Sequence, residues 1–173
     1  MKTKTQPEAK LASAFKLNNQ TWLQHANPLS VYTRFTILPL LSLTIWSRVW
    51  LGWEWALGLT ALVFLWTYLN PRAFKKPKTT KNWASKLVLG ERVWLNRKQI
   101  PIPKHHQTAA ILLASVSAPG LVFYTWGLVA LNFWMMMFGL SVIFISKLWF
   151  VDRMVWLLED MAPKHEEYRK WIY

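Results

Sequence analysis

QTAAILLASVSAPGLVFYTWGLVALNFWMMMFGLSVIFIS, running from Gln107 to Ser146, is forty consecutive residues without one charged side chain. A helix rises 1.5 Å per residue, so about 20 apolar residues cross the roughly 30 Å hydrocarbon core of a bilayer. The stretch therefore holds two membrane spans, placed at about 108–130 and 132–150, with Pro119-Gly120 as a bend in the first of them. The second is expected to continue beyond the bilayer to Met161, where Pro163 stops it.

Working outward, Phe35 to Pro71 contains only two charged residues, Arg48 and Glu54, both near its middle. That pattern predicts two further spans, at about 30–50 and 53–70, joined by a tight turn at Leu51-Gly52. Asn27-Pro28 has the form of an N-cap followed by proline at the first helical position. Pro39 is expected to kink the first span, and the second should end before Pro71. Arg48 and Glu54 could pair across Gly52 or reach for water. The fold class expected is all-α: an integral membrane protein of four transmembrane helices in two helical hairpins, with interfacial amphipathic helices on the cytoplasmic side.

The rest of the chain is basic. Of its 173 residues 53% are apolar, yet 21 Lys and Arg face 8 Asp and Glu, a formal charge of +13. In a soluble protein such an excess would suggest nucleic acid. Here the cations avoid the apolar runs, and the counter-charge expected is anionic lipid headgroups rather than nucleic acid. Five basic residues lie in the arm up to Arg34, ten between Arg72 and Lys104, five from Lys147 onward, and one, Arg48, in the short turns. This bias predicts that both termini and the 71–107 loop face the cytoplasm of a multi-pass cell-membrane protein. The tryptophans fit two interfacial belts: Trp46, Trp50, Trp53, Trp55, Trp126 and Trp134 on one side, Trp66, Trp149 and Trp156 on the other. The first 30 residues carry no apolar core with a cleavage site, so the first span is expected to direct insertion.

Domain organisation follows: a basic arm over 1–26, a four-helix membrane domain over 27–162, and a polar, aromatic tail over 163–173. Within the arm, Leu11, Ala14, Phe15, Trp22 and Leu23 fall near helical spacing, as in a helix lying among headgroups. In the loop, Asn82 to Arg97 reads as a surface helix with Trp83, Leu87 and Trp94 on one stripe.

Candidate chemistry collects on the cytoplasmic side. On a helical wheel Trp149, Asp152, Arg153, Trp156, Glu159 and Asp160 share one arc, while Leu148, Val151, Val155 and Leu158 face away. Such a stripe suits a partner or ligand; equally, its carboxylates could fasten the basic loop to the helix. Glu91 falls on an apolar arc and needs a cation, for which Arg34, Arg72 and Arg153 are candidates, or a raised pKa. His25 and His105-His106 stand before spans, and adjacent histidines point apart, so no metal site is expected. The absence of cysteine excludes disulfides and thiolate chemistry. No glycine-rich phosphate loop or nucleophile elbow occurs, and no ionisable group lies mid-span to carry an ion. Nothing points to a particular cofactor.

The stretches His25-Ala-Asn-Pro-Leu-Ser, Thr33-Arg-Phe35, Asn82-Trp-Ala-Ser-Lys, Gly90-Glu-Arg-Val-Trp-Leu-Asn-Arg97 and Lys147-Leu-Trp-Phe-Val-Asp-Arg-Met-Val-Trp-Leu-Leu-Glu-Asp160 resemble an uncharacterised family of prokaryotic multi-pass membrane proteins, a domain of unknown function. The resemblance spans about residues 20 to 162, leaves both tails outside, and carries no activity.

Two functional expectations result. In the first, the protein binds anionic lipid through Arg34, Arg72, Arg92, Arg97 and Arg153, and docks a membrane-protein partner or another copy through Trp94, Trp149 and Trp156. In the second, it is a membrane-embedded enzyme acting on a lipid or isoprenoid headgroup, with Glu91, Asp152, Glu159 and His105 as acid, base or metal ligand.

Overall fold

The computed structural model of the chain describes residues 19–173. Residues 1–18 of the expected 1–26 arm, and with Leu11, Ala14 and Phe15 most of its interfacial helix, lie outside them. Among the described residues the secondary structure is helical throughout: α1 (Asn19–His25), α2 (Pro28–Phe35), α3 (Ile37–Trp46), α4 (Arg48–Ala73), α5 (Trp83–Leu95), α6 (Lys104–Val129), α7 (Phe133–Met161) and α8 (Glu166–Arg169). Four stretches are long and apolar enough to cross a membrane: Pro28–Trp46, Arg48–Ala73, Lys104–Val129 and Phe133–Met161. Between 11% and 22% of their apolar windows is buried inside the protein, so most of their side chains face outward.

The boundaries follow local chemistry. Pro28 opens α2, with the Leu29 N–H donating to Asn27 Oδ1 at 2.9 Å, as the N-cap pattern predicts. The expected kink at Pro39 is displaced. The helix breaks at Thr36, whose hydroxyl donates back to the Thr33 carbonyl. Pro39 sits in the first turn of α3, where its missing N–H has no helical partner to lose. The first span ends at Trp46 rather than Trp50. The turn is completed at Gly52, whose φ of +81° lies where residues with a Cβ are strained. At the far end of α4, Pro71 lies inside the last turn, and Arg72 Nη1 donates to the Tyr68 carbonyl at 2.7 Å. The third span opens at Lys104, earlier than expected, and runs helically through Pro119.

The chain forms two compact units. One comprises Tyr32–Thr67 and Pro103–Arg153. In it α6 and α7 approach closely enough that a Cβ on Gly139 would strike the Tyr124 backbone, and one on Gly127 the Met136 backbone. Tyr124, Leu128 and Met136 form its apolar core with Leu38, Ile45 and Trp46. Two polar side-chain pairs lie within it: Ser42 Oγ and Tyr124 OH are 3.0 Å apart, and Thr60 donates to Thr44 at 3.1 Å.

The other unit comprises the described residues up to Val31, Tyr68–Ile102 and Met154–Tyr173. Its centre is α5. Asn82 accepts from the Ser85 N–H at 2.8 Å, an N-cap worth about 1 kcal/mol. Ala84, Leu87, Val88, Leu89 and Val93 are buried around most of the helix, so α5 is a core helix and not a surface helix with a single apolar stripe. Gly90 makes this packing possible, because any Cβ there would overlap the Met154 carbonyl. Met154, Leu157, Leu158 and Met161 supply the facing core from the end of α7. Ser85 Oγ reaches the Ala26 carbonyl at 2.7 Å, and buried Ser30 and Asn70 are joined at 2.8 Å.

Residues 163–173, expected as a tail, are packed into this unit. Tyr168 is fully buried. Tyr173 lies along the 79–80 segment: its carbonyl accepts from the Thr80 N–H at 2.9 Å and the Thr79 hydroxyl at 2.8 Å, and its N–H donates to Thr80 Oγ1 at 2.9 Å. Thr80 Oγ1 in turn donates to the Trp171 carbonyl at 2.7 Å.

Candidate functional site

The unit built on α5 contains a groove of about 370 Å³, made from parts that are distant in sequence. Arg92 enters from α5, Lys76 from the segment after α4, and Lys170 from just beyond α8. Leu23, Trp171 and Tyr173 complete much of the wall, and Glu167 is the one carboxylate among the described lining residues. Each part is anchored. Asn27 Nδ2 donates to the Lys75 carbonyl at 2.8 Å, which fixes the segment bearing Lys76. The bonds between Thr79, Thr80 and Tyr173 fix the opposite wall.

Two of the three cations rest on rings. The Arg92 guanidinium lies 4.1 Å from the Trp171 ring centroid, and Lys76 Nζ lies 4.6 Å from that of Tyr173. Cation–π attraction holds a cation by the ring face. Burial pulls the Arg92 pKa below its ordinary value, while the charges of Glu167 and Tyr168 act to raise it. Arginine stays protonated under all ordinary conditions, so the consequence is a poorly hydrated cation. Burial likewise raises the Tyr168 phenol, against the Asn96 amide bond that lowers it. Lys170 pairs with Glu166 at 2.8 Å in an exposed i,i+4 contact, a kind worth little in water.

A second polar contact joins α5 to the end of α7. Lys86 Nζ and Glu159 Oε1 are 2.7 Å apart. Glu159 thus fastens the basic loop to the helix, the simpler of the two roles its sequence position suggested.

The family pattern that matches runs from residue 6 to residue 171. The chain belongs to a family of unknown function, DUF6653. The match extends past the 20–162 range of the sequence resemblance at both ends and takes in Glu167, Lys170 and Trp171 of the groove. No curated protein and no solved structure matches the chain.

In this DUF6653 member the residues singled out from sequence are dispersed. Of the binding candidates, Arg92 alone lines the groove. Arg97 lies over the Trp94 ring at 4.0 Å and donates to the Trp94 carbonyl at 2.7 Å, a contact that closes the end of α5. Arg72 lies over Tyr68 at 4.4 Å. Arg34, Arg153, Asp152 and Glu91 are half-buried. Along α7 the expected two faces are present: Val151, Val155 and Leu158 are buried, whereas Trp149, Trp156, Glu159 and Asp160 are exposed. Of the candidate acids and bases, Glu91 and Glu159 belong to the unit built on α5, and Asp152 and His105 to the other. His105 is exposed, with its ring 4.2 Å from that of His106.

Lys76, Lys170, Trp171 and Tyr173 were not singled out by sequence. The signal for the last three was present as interleaved cations and aromatics in Lys164 to Tyr173, but in a segment that reads as a tail.

Proposed function

We propose that the chain is a multi-pass protein of the prokaryotic cell membrane whose basic cytoplasmic face binds anionic lipid and docks a membrane-protein partner or a second copy. Its four spans form two helical hairpins, with both termini and the 71–107 loop in the cytoplasm. The observation that carries this reading is the division of the chain into outward-facing apolar helices and a basic remainder. Trp134 is 80% exposed and Val129 77%, on helices that would present these surfaces to lipid. Basic side chains beside a bilayer attract anionic headgroups at about 1 kcal/mol each. The exposed Trp149 and Trp156, one heptad apart on α7, support the docking role.

The test is lipid selection by the full chain in vesicles of mixed phosphatidylglycerol and phosphatidylcholine. Wild-type protein should retain phosphatidylglycerol preferentially after mild extraction. A variant with the Lys and Arg residues of 72–104 changed to Gln should lose that preference, and an unchanged preference sinks the reading.

A further inference from the structure

The groove against α5 offers a more specific chemistry than a diffuse basic surface. Among the described residues three cations and one carboxylate line it, and two of the cations are held on aromatic faces. Its walls are preset by side-chain to backbone bonds at Lys75, Thr79 and Thr80, which lowers the ordering cost of binding. The Arg92 fork suits a planar pair of oxygens, and two ammonium groups can meet further oxygens of the same anion. A tetrahedral anion uses such a set better than a carboxylate, which has only two oxygens. The volume, about 370 Å³, exceeds that of a bare ion and lies at the small end of organic-ligand sites. Leu23 and Trp171 give an apolar wall for the organic part.

From these observations we infer that the groove formed by Lys76, Arg92, Lys170, Trp171 and Tyr173 is a discrete binding site for one phosphate ester. The inference rests on the anionic-lipid reading and deepens it: one ligand per chain is bound at a defined place. The phosphate ester comes either from a phospholipid headgroup or from a soluble phosphorylated metabolite, and both share the chemistry the groove recognises. Arg92 and Lys76 grip the phosphate, and Lys170 exchanges its exposed pairing with Glu166 for the ligand.

The experiment is native mass spectrometry of the full chain in detergent, titrated with phosphatidylglycerol, phosphatidylcholine and glycerol 3-phosphate in turn. Phosphatidylglycerol should saturate at one per chain, with phosphatidylcholine much weaker. Arg92→Gln and Lys76→Gln should each weaken it about tenfold or more, the usual cost of removing a charge-assisted contact. Lys78→Gln and Lys81→Gln make the same charge change on the same exposed segment and should leave binding within about twofold. Displacement by glycerol 3-phosphate with the same variant dependence supports the site and names a soluble source. Saturable lipid binding without displacement supports it and names the headgroup. If all four variants weaken binding alike, the preference is diffuse: the groove site is overturned while the lipid reading stands. If neither they nor the fully neutralised loop change anything, both fail. Lys76 is exposed, so its variant should fold normally even where Arg92→Gln does not, and ligand-free thermal unfolding checks both.

Discussion

The guanidinium of Arg48 caps the carboxyl end of α6, donating through Nη2 to the Leu128 carbonyl and through Nη1 to the Ile45 carbonyl at 2.9 Å. The last carbonyls of a helix have no partner within it, and a cation placed there satisfies them and meets the negative end of the dipole. The lone basic residue of the short turns therefore ties the end of α3 to the end of α6. Glu54, which the sequence offered as its partner across Gly52, is not the group it bonds; its ring contact is with Trp53 at 5.3 Å.

Arg48→Gln should destabilise the protein by about 1.5–3 kcal/mol, the range for hydrogen bonds to a charged group. Glu54→Gln should stay within about 0.5 kcal/mol of wild type, as surface changes usually do. Unfolding of the two variants in the same detergent decides between the cap and the cross-turn ion pair.

Gly139 and Gly58 should respond oppositely to alanine. At Gly139 the new methyl group meets the Tyr124 backbone, which cannot move aside, so Gly139→Ala should lower stability by several kcal/mol or abolish expression. At Gly58 nothing lies within 4 Å, so Gly58→Ala should be neutral or stabilising by up to about 1 kcal/mol through helix propensity. Melting temperatures of the pair measure this.

Leu131 holds a φ of +54° in the turn after α6, where the Asn132 N–H reaches back to the Gly127 carbonyl at 2.9 Å. This is the helix-ending bond pattern that ordinarily carries glycine at that position. Leu131→Gly should therefore raise stability by about 1 kcal/mol, the strain of a Cβ in the left-handed region. Equal or lower stability on thermal unfolding would show that lipid contact of the leucine outweighs backbone strain.

Alkaline titration should find Tyr168. Burial raises its pKa in the folded protein above the ordinary 10.0. Its contribution is then constant below pH 10 and is lost as the pH rises further, because the unfolded chain releases the proton first. Tyr168→Phe should start less stable by about 1 kcal/mol, having lost the Asn96 bond, and should show a shallower decline above pH 10. Parallel slopes for the two proteins would contradict this.

The absence of cysteine permits a clean test of orientation. Lys78→Cys should resist a membrane-impermeant maleimide applied to intact cells stripped of their outer wall, and react once the membrane is opened. Ala130→Cys, exposed at the C-cap of α6, should react from outside directly. The reverse pattern would invert the proposed topology.

The sequence by itself determined the number and approximate place of the long apolar helices, because a run free of charge over about 20 residues has few stable outcomes besides a buried or membrane-facing helix. It also determined the Asn27 cap and the two faces of α7, since these depend on neighbours within four residues. It did not reveal where the first span breaks, because Pro39 disrupts a helix only when its N–H position falls beyond the first turn, and Thr36 restarted the count. Tertiary structure alone decided that α5 is a core helix, since Gly90 reads as a weak helix former until Met154 lies against it. The same holds for Arg48, whose partner Leu128 lies 80 residues further along the chain, and for the groove. In sequence Arg92 is one of several candidate arginines, and nothing sets Lys76 and Lys170 apart from other charges; the bonds from Thr79 and Thr80 to the Trp171–Tyr173 segment bring them together, and long-range pairings of that kind leave no periodic trace in the chain.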